Sequence, residues 1–125
     1  DFIVMGDFNI PKLNDDAFNA LTGNGKDLHV PESLKTMTGT NLSRRNNYDQ
    51  ILHSPTALSR FSGAGGVLDF YMDDWEGLFP DKARRPKNKR EFTYWLSDHL
   101  PLWLQVETDL MDKRLKEMAK PADKA

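Results

Sequence analysis

Residues 94–103 read YWLSDHLPLW, with Asp98 and His99 side by side between two apolar, aromatic flanks. An acid beside an imidazole is a poor start for a strand that needs only to be soluble. The pair makes sense if the strand end is the floor of a site. Neighbouring side chains diverge on an extended backbone, so Asp98 and His99 cannot serve one partner from one direction. One is placed to reach a cation while the other reaches a substrate oxygen. Near the start of the chain, FIVMGDFN sets Asp7 directly after an apolar run. Asp7 and Asn9 are two apart, so an extended backbone sends both to one side, and Gly6 permits a sharp turn beside them. A third segment, YDQILHS at 48–54, alternates as a strand with Asp49 on the face opposite Tyr48 and Gln50. Carboxylates with an amide suit a hard, oxygen-preferring cation such as Mg²⁺. A carboxylate on one ring nitrogen of a histidine fixes its tautomer and steadies an imidazolium.

The rest of the sequence bounds the reading. At 125 residues there is room for one domain with a real core. A net charge of −2 gives no global field toward nucleic acid or anionic membrane. No apolar stretch approaches the ~20 residues needed to cross a bilayer, and no signal peptide is visible. With 0 cysteines, disulfides, thiolate catalysis and Cys-ligated zinc are excluded, and the composition leans toward a reducing, cytoplasmic setting. The pattern predicts a strand-dominated α/β fold. A strand over 2–5 leads to a short helix capped by Asn14 or Asp15, with Phe18 and Leu21 toward the core and Gly23 ending it. Residues 23–47 read as a long surface loop, 48–54 as a strand, and SGAGG as a flexible lead into a strand over 67–71. A basic loop over 81–91 precedes strands over 92–96 and 101–107, and a helix over 108–120 packs by a stripe of Leu110, Met111, Leu115 and Met118.

GDFN, YDQIL and SDHLPLW, in this order, resemble signature segments from the C-terminal half of the endonuclease/exonuclease/phosphatase superfamily, the deoxyribonuclease-I-like enzymes. The resemblance covers residues 1 to about 107, so 1–108 is expected to be the C-terminal part of such a domain and 109–125 a terminal helix and polar tail. It implies a four-layered α/β sandwich, of which this chain supplies about half as one mixed β-sheet with flanking helices. It also implies hydrolysis of phosphodiesters or phosphomonoesters with Mg²⁺ or Mn²⁺. By this resemblance Asp7 activates or orients the attacking water, and Asn9 holds that water or a phosphate oxygen. Asp98 joins Asp7 and Asn9 in the metal shell, His99 contacts the scissile phosphate or moves a proton, and Asp49 orients His99. The family's N-terminal half supplies a further metal-binding Asn and Glu that have no counterpart here. The chain is therefore expected to be a fragment, weak or inactive alone.

The leading expectation is a metal-dependent nuclease or related phosphodiesterase. The alternatives are a phosphatase for a lipid or sugar phosphate, and a binding module that kept the family's residues. His29 and His53 match no motif and are expected on the surface. Arg84, Arg85, Lys87, Lys89 and Arg90 form a basic run that could contact the backbone of DNA or RNA. Trp75, Trp95 and Trp103 are expected to fill packing positions. A half-sandwich would bare Ile3, Met5, Ile51 and Leu102 or Leu104, a face to be covered by the missing half or by a homodimer.

Overall fold

β1 (Ile3–Asp7) and β2 (Asp49–His53) pair antiparallel, in a register that runs from Ile3 opposite His53 to Asp7 opposite Asp49. The computed structural model describes residues 2–109 and 111–119. A second antiparallel pair joins β3 (Phe61–Val67) to β4 (Leu102–Val106). The described residues thus form a small mixed α+β domain with two two-stranded antiparallel sheets, where a single mixed sheet was expected. Helices α1 (Asp16–Leu21) and α2 (Glu32–Lys35) lie between β1 and β2; α3 (Phe70–Asp74) and α4 (Lys89–Trp95) lie between β3 and β4. Helix α5 (Met111–Met118) follows.

Helix α1 forms as its sequence predicts. Asp15 is the N-cap, its Oδ1 accepting from Phe18 N at 2.9 Å, and Phe18 is buried. Three other expectations fail. The strand expected over 92–96 is helix α4: Asn88 Oδ1 accepts from Glu91 N at 3.0 Å while Glu91 Oε2 accepts from Lys87 N at 2.7 Å. This reciprocal capping starts a helix despite the β-favouring Phe–Thr–Tyr–Trp run. The strand expected over 67–71 ends at Val67, and Asp69 caps α3 by accepting from Met72 N. The glycine-rich stretch expected to be flexible is β3 itself. Its register shifts between Phe61 and Gly65, around Gly63 at φ +83, so the glycine absorbs an irregularity. A Cβ on Gly65 would lie 2.7 Å from Ser33 Oγ and 3.0 Å from Leu104 and the Trp103 carbonyl, so a side chain there would push on both α2 and β4.

The region read as a surface loop, 23–47, instead supplies core. Pro31, Leu34, Thr40 and Leu42 are buried. Leu42, Phe92 and Leu100 form one cluster, with Val67, Phe70, Tyr71, Trp75 and Phe79 against it. Trp75 meets Phe92 edge-on, whereas Trp95 and Trp103 are each about half exposed, so the packing expectation holds fully only for Trp75. His53 is also a correction. It is fully buried, stacked on His29 and tilted against Phe61, with Nδ1 against Ser54 O at 2.8 Å. His29 is half-buried and exchanges backbone hydrogen bonds with His53.

Of the face expected to be bare, Ile3 and Met5 are exposed, Ile51 is buried, and Leu102 and Leu104 are half-buried. Met111, Leu115 and Met118 of α5 are exposed and make no packed stripe; Leu110 lies outside the described residues. Among the described residues no helix is long and apolar enough to cross a membrane.

Candidate active site

The β1–β2 register sets Asp7 directly opposite Asp49. Opposed residues of an antiparallel pair share one face, and like charges there are destabilising. Two aligned carboxylates therefore call for positive charge or hydrogen-bond donors nearby. His99 supplies a donor from the other end of the chain: its Nδ1 lies 2.9 Å from Asp49 Oδ2. An ionised carboxylate only accepts, so Nδ1 carries the proton and Nε2 is the nitrogen left for other work. Asp7, Asp49 and His99 each bring one potential ligand atom within 4.8 Å of the others. Asp7 is exposed, while Asp49 and His99 are half-buried.

Asp7 is steadied locally. Its Oδ1 accepts from Asn9 N at 2.9 Å and its Oδ2 from Asn9 Nδ2 at 3.4 Å. That turn needs Asn9 in the left-handed region, at φ 53, which asparagine tolerates better than most residues. The Tyr48 ring stacks 5.9 Å from that of His99, although alternation had put Tyr48 on the face opposite Asp49. Strand β2 begins only at Asp49, so alternation does not extend to Tyr48.

Asp49 and His99 are 50 residues apart and are brought together by the 38–47 segment. Thr40 Oγ1 accepts from Asp49 N at 3.0 Å, and Thr40 O accepts from Leu100 N at 2.6 Å. Leu42 N donates to Asp98 O at 2.9 Å, and Asn41 bridges to His99. Asn41 Oδ1 holds the segment by accepting from Ser43 Oγ, Arg45 N and Asn46 N. Arg44, paired at 2.9 Å with Asp69, ties it to the start of α3. Sequence reading missed Thr40, Asn41 and Tyr48, because nothing in a polar Thr/Asn-rich run signals which member reaches across the fold.

Thr40 is fully buried and holds the acid through one group and the residue after the imidazole through another. Thr40→Val keeps the volume but orphans the Asp49 amide, a loss of about 1–3 kcal/mol in stability. Thr40→Ser should regain most of that loss. Urea unfolding of the three proteins checks this; equal stability of Thr40→Val and wild type would refute the strut.

The structure thus gathers Asp7, Asn9, Asp49 and His99. It leaves the Asp98 carboxylate, expected in the metal shell, outside the cluster, with the Asp98 backbone used for anchoring. The basic run is partly spent on the fold. Arg85 pairs with Glu76 and donates to Phe79 O, and Lys89 Nζ donates to Leu42 O at 2.8 Å. Arg84 meets Asp81 at 3.5 Å on the surface, and Lys87 and Arg90 are exposed.

Mg²⁺ takes one or two protein carboxylates and fills its remaining positions with water and phosphate oxygens. An exposed Asp7 beside a half-buried Asp49 fits that pattern, whereas imidazole is a ligand suited to softer transition ions. Compared with protein-family models, curated proteins and solved structures, the chain gives no significant match.

Proposed function

We propose that this chain carries the hydrolytic end of a divalent-metal-dependent phosphoesterase of the endonuclease/exonuclease/phosphatase type. It would cleave a P–O bond of a phosphodiester or phosphomonoester by attack of water. The observation that supports this reading best is the 2.9 Å His99 Nδ1–Asp49 Oδ2 hydrogen bond beside the aligned Asp7 carboxylate. With Nδ1 donating to Asp49, His99 offers Nε2 to take a proton from the reacting centre, and once protonated Nε2 can donate to a phosphate oxygen or to the leaving alcohol. Asp7 accepts from the attacking water and orients it. Asn9, whose amide nitrogen points back to Asp7, keeps Oδ1 as an acceptor for the same water. The water oxygen forms the new bond to phosphorus and gives up a proton to His99 Nε2, the bond to the alcohol oxygen breaks, and that oxygen leaves with the proton His99 returns. Asp7, with Asp49 in reach, would hold Mg²⁺ or Mn²⁺, which when bound neutralises charge on the phosphate.

Two carboxylates make a thin metal site, so the expected binding is weak. Titration of the isotope-labelled chain with Mg²⁺ should move the backbone resonances of Asp7 and Asn9 in the millimolar range. Slow hydrolysis of bis-p-nitrophenyl phosphate should appear with metal and vanish with EDTA. Absence of any Mg²⁺-dependent change at Asp7 would refute the reading. Fast turnover by the chain alone would refute the incomplete-site part of it.

A further inference from the structure

We propose that the cleft leading away from the Asp49–His99 pair receives a hydrocarbon substituent, so that the favoured substrate is a phosphate ester of an alkyl or aryl alcohol. This rests on the phosphoesterase reading of the pair and narrows its substrate class.

The cleft has a volume of about 400 Å³ and reaches both Asp49 and His99. Its wall is carbon: Phe70 from α3, Leu96 just past α4, and Pro101 and Leu102 at the start of β4. Leu96 is 49% exposed. A single exposed leucine means little, but here it completes an apolar wall whose end is the reactive pair. The volume lies at the small end of ligand pockets, which run from roughly 300 Å³ upward, enough for one ring or a short chain beside a phosphate.

The electrostatics point the same way. None of the described residues lining the cleft is Lys or Arg. Arg85 and Lys89 of the nearby basic run are bound within the fold. The described lining residues would give a polynucleotide none of the phosphate neutralisation that drives such binding; Arg84, Lys87 and Arg90, exposed elsewhere in the run, are not among them. A polyol would also fare badly, because its hydroxyls would lose water against carbon. Ser97, the remaining polar side chain there, already accepts from His99 N at 2.9 Å.

The test uses the full chain with ¹³C-labelled leucine methyl groups and Mg²⁺ present. The probes are hexylphosphonate, phenylphosphonate, glycerol 1-phosphate and a single-stranded thymidine decamer. Both phosphonates should shift the Leu96 and Leu102 methyls at concentrations about tenfold below glycerol 1-phosphate. A lower midpoint for hexyl assigns a lipid-like alcohol, and a lower midpoint for phenyl assigns a planar one. The proposal is overturned if glycerol phosphate or the decamer perturbs these methyls as readily, or if neither phosphonate moves them. Leu96 is half exposed, so Leu96→Asn leaves the core intact and should erase most of the tenfold preference. Hydrolysis of hexyl and glycerol esters is followed in parallel. Selective binding without cleavage of either sinks the phosphoesterase reading alone, and cleavage without hydrocarbon preference sinks the cleft assignment alone.

Discussion

His99→Ala is expected to depress metal-dependent phosphoester turnover by about 10²–10⁴-fold, the range typical of a positioned acid–base group. Asp7→Asn should fall in the same range, because the amide cannot accept from the attacking water as a carboxylate does. Asp49→Asn acts through His99 and is expected to cost less, since the asparagine oxygen can still accept from Nδ1. The three variants are compared by kcat and by kcat/KM at saturating Mg²⁺, in a form of the protein with measurable turnover. If His99→Ala kept wild-type turnover, the imidazole would have no part in the reaction.

His53→Ala, by contrast, is expected to lower stability by about 2–4 kcal/mol, as large-to-small changes in cores do. The ring is fully buried, packed 4.4 Å from the Phe61 ring centroid and 5.6 Å from that of His29. Deleting it leaves a cavity and removes one of two hydrogen bonds to the Ser54 carbonyl, which keeps that from Ala57 N at 3.0 Å. His29→Ala removes a half-buried ring and should cost under about 1 kcal/mol. Urea unfolding of both variants decides the matter: equal losses would show that burial does not separate the two histidines.

That contrast marks what the sequence could and could not reveal. Asp7, Asn9, Asp49 and His99 were legible because each sits in a short local segment, GDFN, YDQIL or SDHLPLW, that sets polar residues beside an apolar run. Helix α1 was legible through Asp15 and Phe18. His53 was not, because its burial depends on pairing with His29 across the fold, which no periodicity announces. Helix α4 was misread because aromatic and β-branched residues favour strands, although Asn88 and Glu91 carried a capping signal that pattern reading underweighted. The glycines of β3 read as flexibility, whereas Gly65 sits in a close approach, where a Cβ would crowd Ser33, Leu104 and the Trp103 carbonyl. Thr40 illustrates the general difficulty: its role lies in two hydrogen bonds to distant segments, and its neighbours in sequence are no guide to it.

The distance along the chain between Asp49 and His99 has a kinetic consequence. Joining residues 50 apart requires closing a long loop, whose entropy must be met before the contact repays it. Both sheets are also built from non-local pairs, a topology that folds more slowly than one made of local helical contacts. The local helices can form early, but the His99–Asp49 bond waits for the chain to close. After dilution from denaturant, the helical circular dichroism signal should return first. The His99 ring resonances should take up their native positions only with the final phase, so the pair reports the last step of folding. Simultaneous recovery of the two signals would show instead that the long loop closes before the helices are in place.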